Sequence, residues 1–146
     1  MCNLAQIVNV LHSLLLTEED RCIRTPAYHA FALMKPHRAK TAVQVVNDDR
    51  GPAGLSVSAS REGGELVVTL VNPKHDTTLT VDCSVAGKTV SGASARALYH
   101  EDFNACNTFE APDQVVPRAH QASATGSRLR LELPPLSVVT ATAQLG

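Results

Sequence analysis

Near residue 38 the apolar pattern of the chain changes from helical spacing to the short alternating runs of a β protein. Before that point, apolar residues recur at steps of three and four, as on one face of an amphipathic helix: Leu4, Ile7, Val8, Leu11 and Leu15. After it, residues 127–133 alternate between apolar and mostly charged side chains, as a half-buried strand does. The pattern predicts a short helical part followed by a β domain.

Two interpretations stay open for the first few residues: the start of this helix, or the end of a buried strand that leads into it. Thr17 and Asp20 indicate a polar turn after the helix. Thr25 followed by Pro26 offers a helix cap with proline at the first helical position. A second short helical face, from Tyr28 to Met34, is expected to end near the proline at position 36.

The β part is predicted to hold about seven strands, within residues 41–46, 55–60, 65–71, 77–85, 88–99, 127–133 and 136–145. The sequence E-G-G-E at 62–65 indicates a hairpin turn between two of them. Residues 101–117 are expected to be irregular. Many short strands separated by turns favour an antiparallel β-sandwich over alternating strands and helices.

Composition narrows the function classes. With 146 residues the chain is too short for a complete (β/α)₈ barrel, which needs about 250. It has no Trp and 3% aromatic residues, a poor supply of rings for stacking sugars or nucleobases. A net charge of -1 gives no electrostatic footprint for nucleic acid or an anionic membrane. The amino-terminal stretch is too polar for a signal peptide and too short for a membrane span.

The cysteines and histidines indicate neither a disulfide framework nor a metal site. Four cysteines lie far apart without a C-x-x-C pair, so we expect reduced, mostly buried thiols and a reducing compartment. No two of the six histidines have the i, i+4 spacing of a helical zinc pair. We expect no metal and no other cofactor.

No phosphate loop, dinucleotide fingerprint or nucleophile elbow is present, and the paired carboxylates at 18–20, 48–49 and 101–102 lie in polar turns. One polar residue stands out, because Gln6 interrupts an apolar run. On a helix, Asn3, Gln6 and Asn9 would share a solvent-facing stripe. At the end of a buried strand, Gln6 would instead emerge where barrel enzymes place ligand-contacting residues.

Four blocks, in the same order, resemble segments of the α-L-arabinofuranosidases of glycoside hydrolase family 51. Residues 2–11 are similar to that family's N-I-A-Q-x-V-N-V-L, and 25–31 to its T-P-T-Y-H-V-F, with His37 on the following histidine. Residues 107–113 resemble N-T-F-E-x-P-D, and 133–139 resemble L-P-P-L-S-V-V. The departures are modest: Ala27 and Ala30 replace bulkier residues, and Leu33-Met34 stands where Met-Tyr is common.

The resemblance implies an incomplete (β/α)₈ barrel over 1–37, with the end of its eighth strand at residues 1–5 and its terminal helical part from about residue 7 to 37. The rest, 38–146, would be a C-terminal antiparallel β-sandwich, jelly-roll-like and mainly β. The implied reaction is the hydrolysis, with retention, of terminal non-reducing α-L-arabinofuranosyl residues of arabinan, arabinoxylan and related oligosaccharides. Such enzymes use two glutamates about 5–5.5 Å apart.

Both glutamates of that family precede the block where this chain starts, so the resemblance predicts no catalytic residue here and an inactive isolated chain. No glutamate of this chain falls in a matching motif: Glu18, Glu19, Glu62, Glu65, Glu101, Glu110 and Glu132. The matching glutamine makes Gln6 a substrate-binding residue that hydrogen-bonds the arabinofuranose ring. Implied partners are the missing barrel portion and, in the parent enzyme, further copies of itself; we expect a cytoplasmic location.

The alternative hypothesis is a free-standing β-sandwich module that binds carbohydrate or another protein. The absent Trp and the apolar amino-terminal residues weigh against it. Under the first interpretation, residues 1–37 expose apolar faces that belong against barrel neighbours, and we expect self-association or loose packing there.

Overall fold

The computed structural model describes residues 6–47 and 54–146. Helix α1 spans Pro26–Leu33 and is followed by a 3-10 turn at Lys35–His37. The strands within these ranges are β1 Leu15–Glu18, β2 Arg21–Arg24, β3 Thr41–Val43, β4 Ser56–Glu62, β5 Glu65–Asn72, β6 Leu79–Ser84, β7 Val90–Leu98, β8 Arg118–His120, β9 Ala122–Thr125, β10 Arg128–Leu133 and β11 Ser137–Leu145. The predictions for residues 1–5 and for the carboxylates at 48–49 lie outside the described residues.

Two antiparallel sheets form a β-sandwich, which confirms the predicted fold class. The larger sheet has six strands in the order β3-β4-β5-β11-β7-β8, and the smaller has the order β6-β10-β9. Strands β1 and β2 form a separate hairpin. The turn at 62–65 joins β4 to β5 in a hairpin, as the sequence predicts, with Glu62 opposite Glu65.

The main core lies between the two sheets and is built from alternate residues of their strands. Leu129, Leu131 and Leu133 of β10 are at most 1% exposed, while the intervening residues of that strand are exposed. These three leucines face apolar side chains of β5, β7 and β11. The alternation at 127–133 therefore corresponds to a strand with one buried face, as predicted.

Part of the second face of the six-stranded sheet is covered by α1 and by the irregular segment 99–117. Leu33 of α1, Leu98 of β7 and Val115 form a small second core. His37 follows the helix and lies against hydroxyl groups of the sheet: its Nδ1 is 2.7 Å from Ser60 Oγ and its Nε2 is 2.8 Å from Thr69 Oγ1. The helical segment is thus part of the same packed unit as the sandwich.

Helix α1 begins as the sequence predicts. Thr25 is its N-cap, with an extended backbone and a side-chain oxygen that accepts from Tyr28 N, and Pro26 occupies the first turn. The helix ends at Leu33, and the 3-10 turn containing Pro36 follows. This is the short helical element that precedes the sandwich.

The helix predicted over residues 4–15 is wrong within the described residues. Residues 6–14 are irregular, and β1 begins at Leu15. Asn9 and His12 have φ values of 52° and 61°, in the left-handed region that interrupts a right-handed helix. The helical part of 7–37 is therefore confined to α1 and the 3-10 turn, and the segment before it forms a loop and a hairpin.

Smaller differences concern strand ends and short strands. The strand expected at 41–46 ends at Val43. The polar turn expected at 17–20 lies between the end of β1 at Glu18 and the start of β2 at Arg21. Strands β8 and β9 were not predicted. Both are at most four residues long, too short for a clear alternation.

Candidate functional site

Gln6 is exposed and lies in the irregular segment before the β1–β2 hairpin. The next residue anchors it, because the carbonyl of Ile7 accepts from Leu14 N at 2.9 Å and from Leu15 N at 3.0 Å. These two bonds tie the backbone beside Gln6 to the start of β1. The glutamine side chain is thus presented at the surface by a held backbone.

Asn9 makes the next connection and does not form the polar stripe that a helix would give. Its side-chain amide donates to Thr17 O at 3.0 Å and Thr17 Oγ1 at 2.9 Å, and its Oδ1 accepts from Thr17 N at 2.7 Å. Asn3, the third member of the expected stripe, lies outside the described residues. Asn9 is therefore a structural residue of the loop.

Thr25 joins this loop to α1. Its hydroxyl donates to Ser13 O at 2.7 Å, and its backbone N–H donates to Leu14 O at 3.0 Å. One residue therefore caps the helix and fixes the chain just before β1.

Asn107, in the irregular segment 99–117, braces the end of β2. The residue is 3% exposed. Its Nδ2 donates to Arg24 O at 2.9 Å and to Val115 O at 3.1 Å, and its Oδ1 accepts from Val115 N at 2.7 Å. The guanidinium of Arg21 lies 4.7 Å from the centre of the Phe109 ring, a second contact between the hairpin and this segment.

Large apolar side chains are exposed on the amino-terminal part of the chain. Within residues 6–37 they are Ile7, Val8, Leu11, Phe31 and Met34, of which Leu11 is 89% exposed. We call this set the amino-terminal apolar face. Exposed apolar side chains that lie together are typical of a binding surface, whereas single ones are common on soluble proteins.

Two buried polar atoms in the same region have no hydrogen-bond partner among the described residues: Ser13 Oγ and His29 Nε2. Buried polar groups are normally paired. Burial lowers the pKa of His29, and the positive charge of Arg24 lowers it further. The imidazole is therefore held neutral near pH 7.

Two of the described glutamates form ion pairs with basic side chains. Glu18 pairs with Arg21, and Glu65 pairs with Lys40 at 2.7 Å. Nowhere in 6–47 and 54–146 do three or more His, Cys, Asp or Glu side chains group as metal ligands would.

The cysteines differ from expectation in exposure. Cys22, Cys83 and Cys106 are free thiols. Cys22 and Cys106 are exposed, so the expected burial is wrong for these two, while Cys83 is half-buried and its burial raises the thiol pKa. Cys2 lies outside the described residues.

Among the helices of the described ranges, none is both long and apolar enough to cross a membrane.

The described residues define a β-sandwich domain that is preceded by a hairpin and a short helix and that exposes apolar side chains in its amino-terminal part. Residues 1–137 match the family described as "Alpha-L-arabinofuranosidase C-terminal domain". The chain belongs to this family.

Three known proteins that are similar to the chain are named arabinofuranosidases. A curated relative from Bacteroides ovatus, an intracellular exo-α-L-arabinofuranosidase, is 28% identical over 96% of this chain and 29% of its own length. The crystal structure of the family 51 arabinofuranosidase from Xanthomonas axonopodis pv. citri matches with a TM-score of 0.84 and 30% identity, over 96% of this chain and 30% of that one. The α-L-arabinofuranosidase of Thermotoga maritima, in an arabinose complex, gives a TM-score of 0.77 and 25% identity, over 96% of this chain and 33% of that one. The chain thus spans about a third or less of the length of these relatives.

The structure shows contacts of Thr25 and Asn107 that the sequence does not predict. The sequence predicts Thr25 as a helix cap but does not predict its bond to Ser13. It places Asn107 in the family block at 107–113 but does not predict its contacts. Its partner Arg24 is 83 residues away along the chain. No local pattern encodes such a contact.

Proposed function

We propose that this chain is the C-terminal part of an α-L-arabinofuranosidase. The whole enzyme would remove terminal non-reducing α-L-arabinofuranosyl residues from arabinan, arabinoxylan and related oligosaccharides with retention. Family membership and the three relatives support the activity. Since the chain spans about 30% of those proteins, a barrel portion supplied elsewhere would hold both catalytic glutamates.

The observation that carries the proposal is the position of Gln6. It is exposed in the segment that also contributes Ile7, Val8 and Leu11 to the amino-terminal apolar face. A barrel packed on that face would cover the apolar side chains and leave Gln6 at the edge of the barrel's own pocket. Burying such side chains contributes about 25 cal/mol per Å² of apolar surface.

The proposed role of Gln6 is to bind and orient the sugar. Its amide offers one acceptor oxygen and two N–H donors, which suit the hydroxyl groups of a furanose ring. In the retaining reaction one glutamic acid protonates the leaving oxygen while the second carboxylate attacks the anomeric carbon, and water then releases the sugar. A ligand that fixes the ring lowers the cost of reaching this geometry.

The remaining parts of the proposal concern organisation. Residues 1–37 would complete the barrel and 38–146 would form the C-terminal domain that supports it and contributes contacts between copies of the enzyme. A cytoplasmic location is supported by the intracellular relative and by the three free cysteines. No cofactor is required.

The test is a hybrid in which this chain replaces the corresponding part of the Xanthomonas enzyme. We expect the hybrid to hydrolyse an aryl α-L-arabinofuranoside, and Gln6→Ala to lower its kcat/KM by about tenfold to a hundredfold, the effect of losing hydrogen bonds to substrate. Gln144→Ala, at another exposed glutamine, is the matched control and should change little. A folded hybrid in which the two variants behave alike contradicts the role of Gln6.

The isolated chain supplies the complementary measurement. It should not hydrolyse the same substrate, and its migration in gels containing arabinan or arabinoxylan should be unchanged. Clear retardation by either polysaccharide would instead favour the free-standing carbohydrate-binding module.

A further inference from the structure

We propose that Asn107 is a positioning residue for Gln6: it holds the end of β2, and through Thr25 that end holds the loop that presents Gln6. The proposal rests on the substrate-binding role proposed for Gln6. It adds Asn107, a residue on the sandwich side of the molecule, which would affect sugar binding only through the residues that connect it to Gln6.

The first connection is the bond from Asn107 Nδ2 to Arg24 O, at 2.9 Å. The other two bonds of this amide, to the backbone of Val115, fix the side chain on its own segment. The amide of this buried residue therefore makes three bonds, of which the two to Val115 are buried and the one to Arg24 is partly buried. Such satisfied buried amides set backbone geometry firmly.

The second connection passes along the chain from Arg24 to Thr25. With the Arg24 carbonyl fixed, the next residue directs its hydroxyl to Ser13 O and its N–H to Leu14 O, at 2.7 and 3.0 Å. Thr25 is half-buried, so these bonds are shielded from competing water.

The third connection returns to the site. Leu14 and Leu15 donate to Ile7 O at 2.9 and 3.0 Å, and Ile7 directly follows Gln6. The path from Asn107 to Gln6 thus consists of hydrogen bonds and adjacent residues, without a step across open space. The segment 6–14 has no regular secondary structure beyond a single bridge. Two sets of bonds hold it: this path, and the bonds of Asn9 to Thr17 and to Leu15 O.

The chain offers a matched control in Asn72. This side chain is 0% exposed and also braces the backbone, donating to the carbonyls of Thr77, Leu133 and Pro134 and accepting from Lys74 N. Its partners lie beside the ends of β5, β6 and β10, and none of them belongs to residues 6–25. The two asparagines share their chemistry and burial and differ in what they hold.

The first experiment measures amide hydrogen exchange by NMR in the whole chain. For Asn107→Ala we expect exchange at Leu14 and Leu15 to be at least about tenfold faster after correction for global stability, which amides of β5 and β11 report. Asn72→Ala should leave the corrected rates of these two amides unchanged. Equal effects of both variants, or no effect of Asn107→Ala, overturn the proposal.

A second variant covers the case in which Asn107→Ala fails to fold. Thr25→Val removes the hydroxyl one step further along the path and keeps the side-chain shape. It should accelerate exchange at Leu14 and Leu15 while the Val115 amide, bound by Asn107, stays protected. Unchanged exchange at Leu14 and Leu15 contradicts the path.

Kinetics of the hybrid enzyme connect the path to function. Asn107→Ala should lower kcat/KM by about tenfold, and combining it with Gln6→Ala should add little, since both remove the same contact. Asn72→Ala combined with Gln6→Ala should instead be additive. If Gln6→Ala itself has no effect, the proposed role of Gln6 fails, while the exchange data still decide whether Asn107 positions the loop; additivity of Asn107→Ala overturns the kinetic part.

Discussion

The sandwich and the loop-hairpin segment 6–25 are stabilised in different ways. The sandwich has two sheets with continuous antiparallel ladders and a core whose central leucines are at most 1% exposed. The loop-hairpin segment has a four-residue pairing, several single hydrogen bonds and apolar side chains in solvent. The core of the sandwich therefore contains the partners of its buried residues, whereas the described part of 6–25 contributes little to that core. Exposed apolar side chains occur in both regions, including Leu11 in the loop and Val46 and Phe103 in the rest of the chain.

The largest effect should come from the sandwich core. Leu131→Ala removes a 1% exposed side chain and should lower the free energy of unfolding by about 2–5 kcal/mol, through lost burial and a cavity. Leu11→Ala, at an 89% exposed leucine, should change it by less than about 0.5 kcal/mol. Urea denaturation measures both.

Comparable losses at the two leucines would remove the contrast between the regions. Leu11→Ser should also reduce self-association of the isolated chain, as measured by sedimentation velocity. Unchanged association would show that the amino-terminal apolar face does not cause it.

A smaller loss is expected at the junction between the regions. Thr25→Ala removes a helix cap and the hydroxyl bound to Ser13 O, which should cost about 1–2 kcal/mol in urea denaturation. Thr142→Ala, a half-buried threonine in β11, is the control. The junction matters less than proposed if the two changes are equal.

The mildest effect should appear as pH dependence. Burial and the nearby charge of Lys40 lower the pKa of His37 below 6.5, and burial also lowers that of His29. Since the unfolded chain then binds protons more readily, stability is retained above pH 6.5 and falls as the pH drops below it. Thermal melts at successive pH values should show this acid limb.

His37→Gln stays neutral and offers both a donor and an acceptor to Ser60 and Thr69. Its acid limb should be flatter than that of the wild type. Parallel curves for the two proteins would assign the acid limb to other groups.

How far the sequence predicts the molecule depends on where the partners of each residue lie. The strand at residues 128–133 is predictable because each leucine is buried between the sheets and each neighbour faces water. The helix predicted from the apolar spacing over 4–15 is wrong, because hydrophobic periodicity does not reveal the left-handed backbone at Asn9 and His12. Apolar residues that pack against a partner outside the chain can have the same spacing.

The candidate site was predictable only in part. Gln6 is a candidate because a glutamine interrupts an apolar run and matches a family block, and its substrate-binding role stays a prediction. Asn107 could be located in a block, yet its contact with Arg24 depends on folding across 83 positions. Such contacts require the structure.

We propose that the amino-terminal apolar face packs against a barrel portion of the longer enzyme. The most direct measurement compares hydrogen exchange in the isolated chain and in the hybrid with the Xanthomonas barrel portion. We predict slower exchange in the hybrid across 6–14 and α1, with little change at β3 and in the neighbouring segment 44–47, where Val46 is 80% exposed. Unchanged exchange across 6–14, or equal slowing at 41–47, would contradict the account.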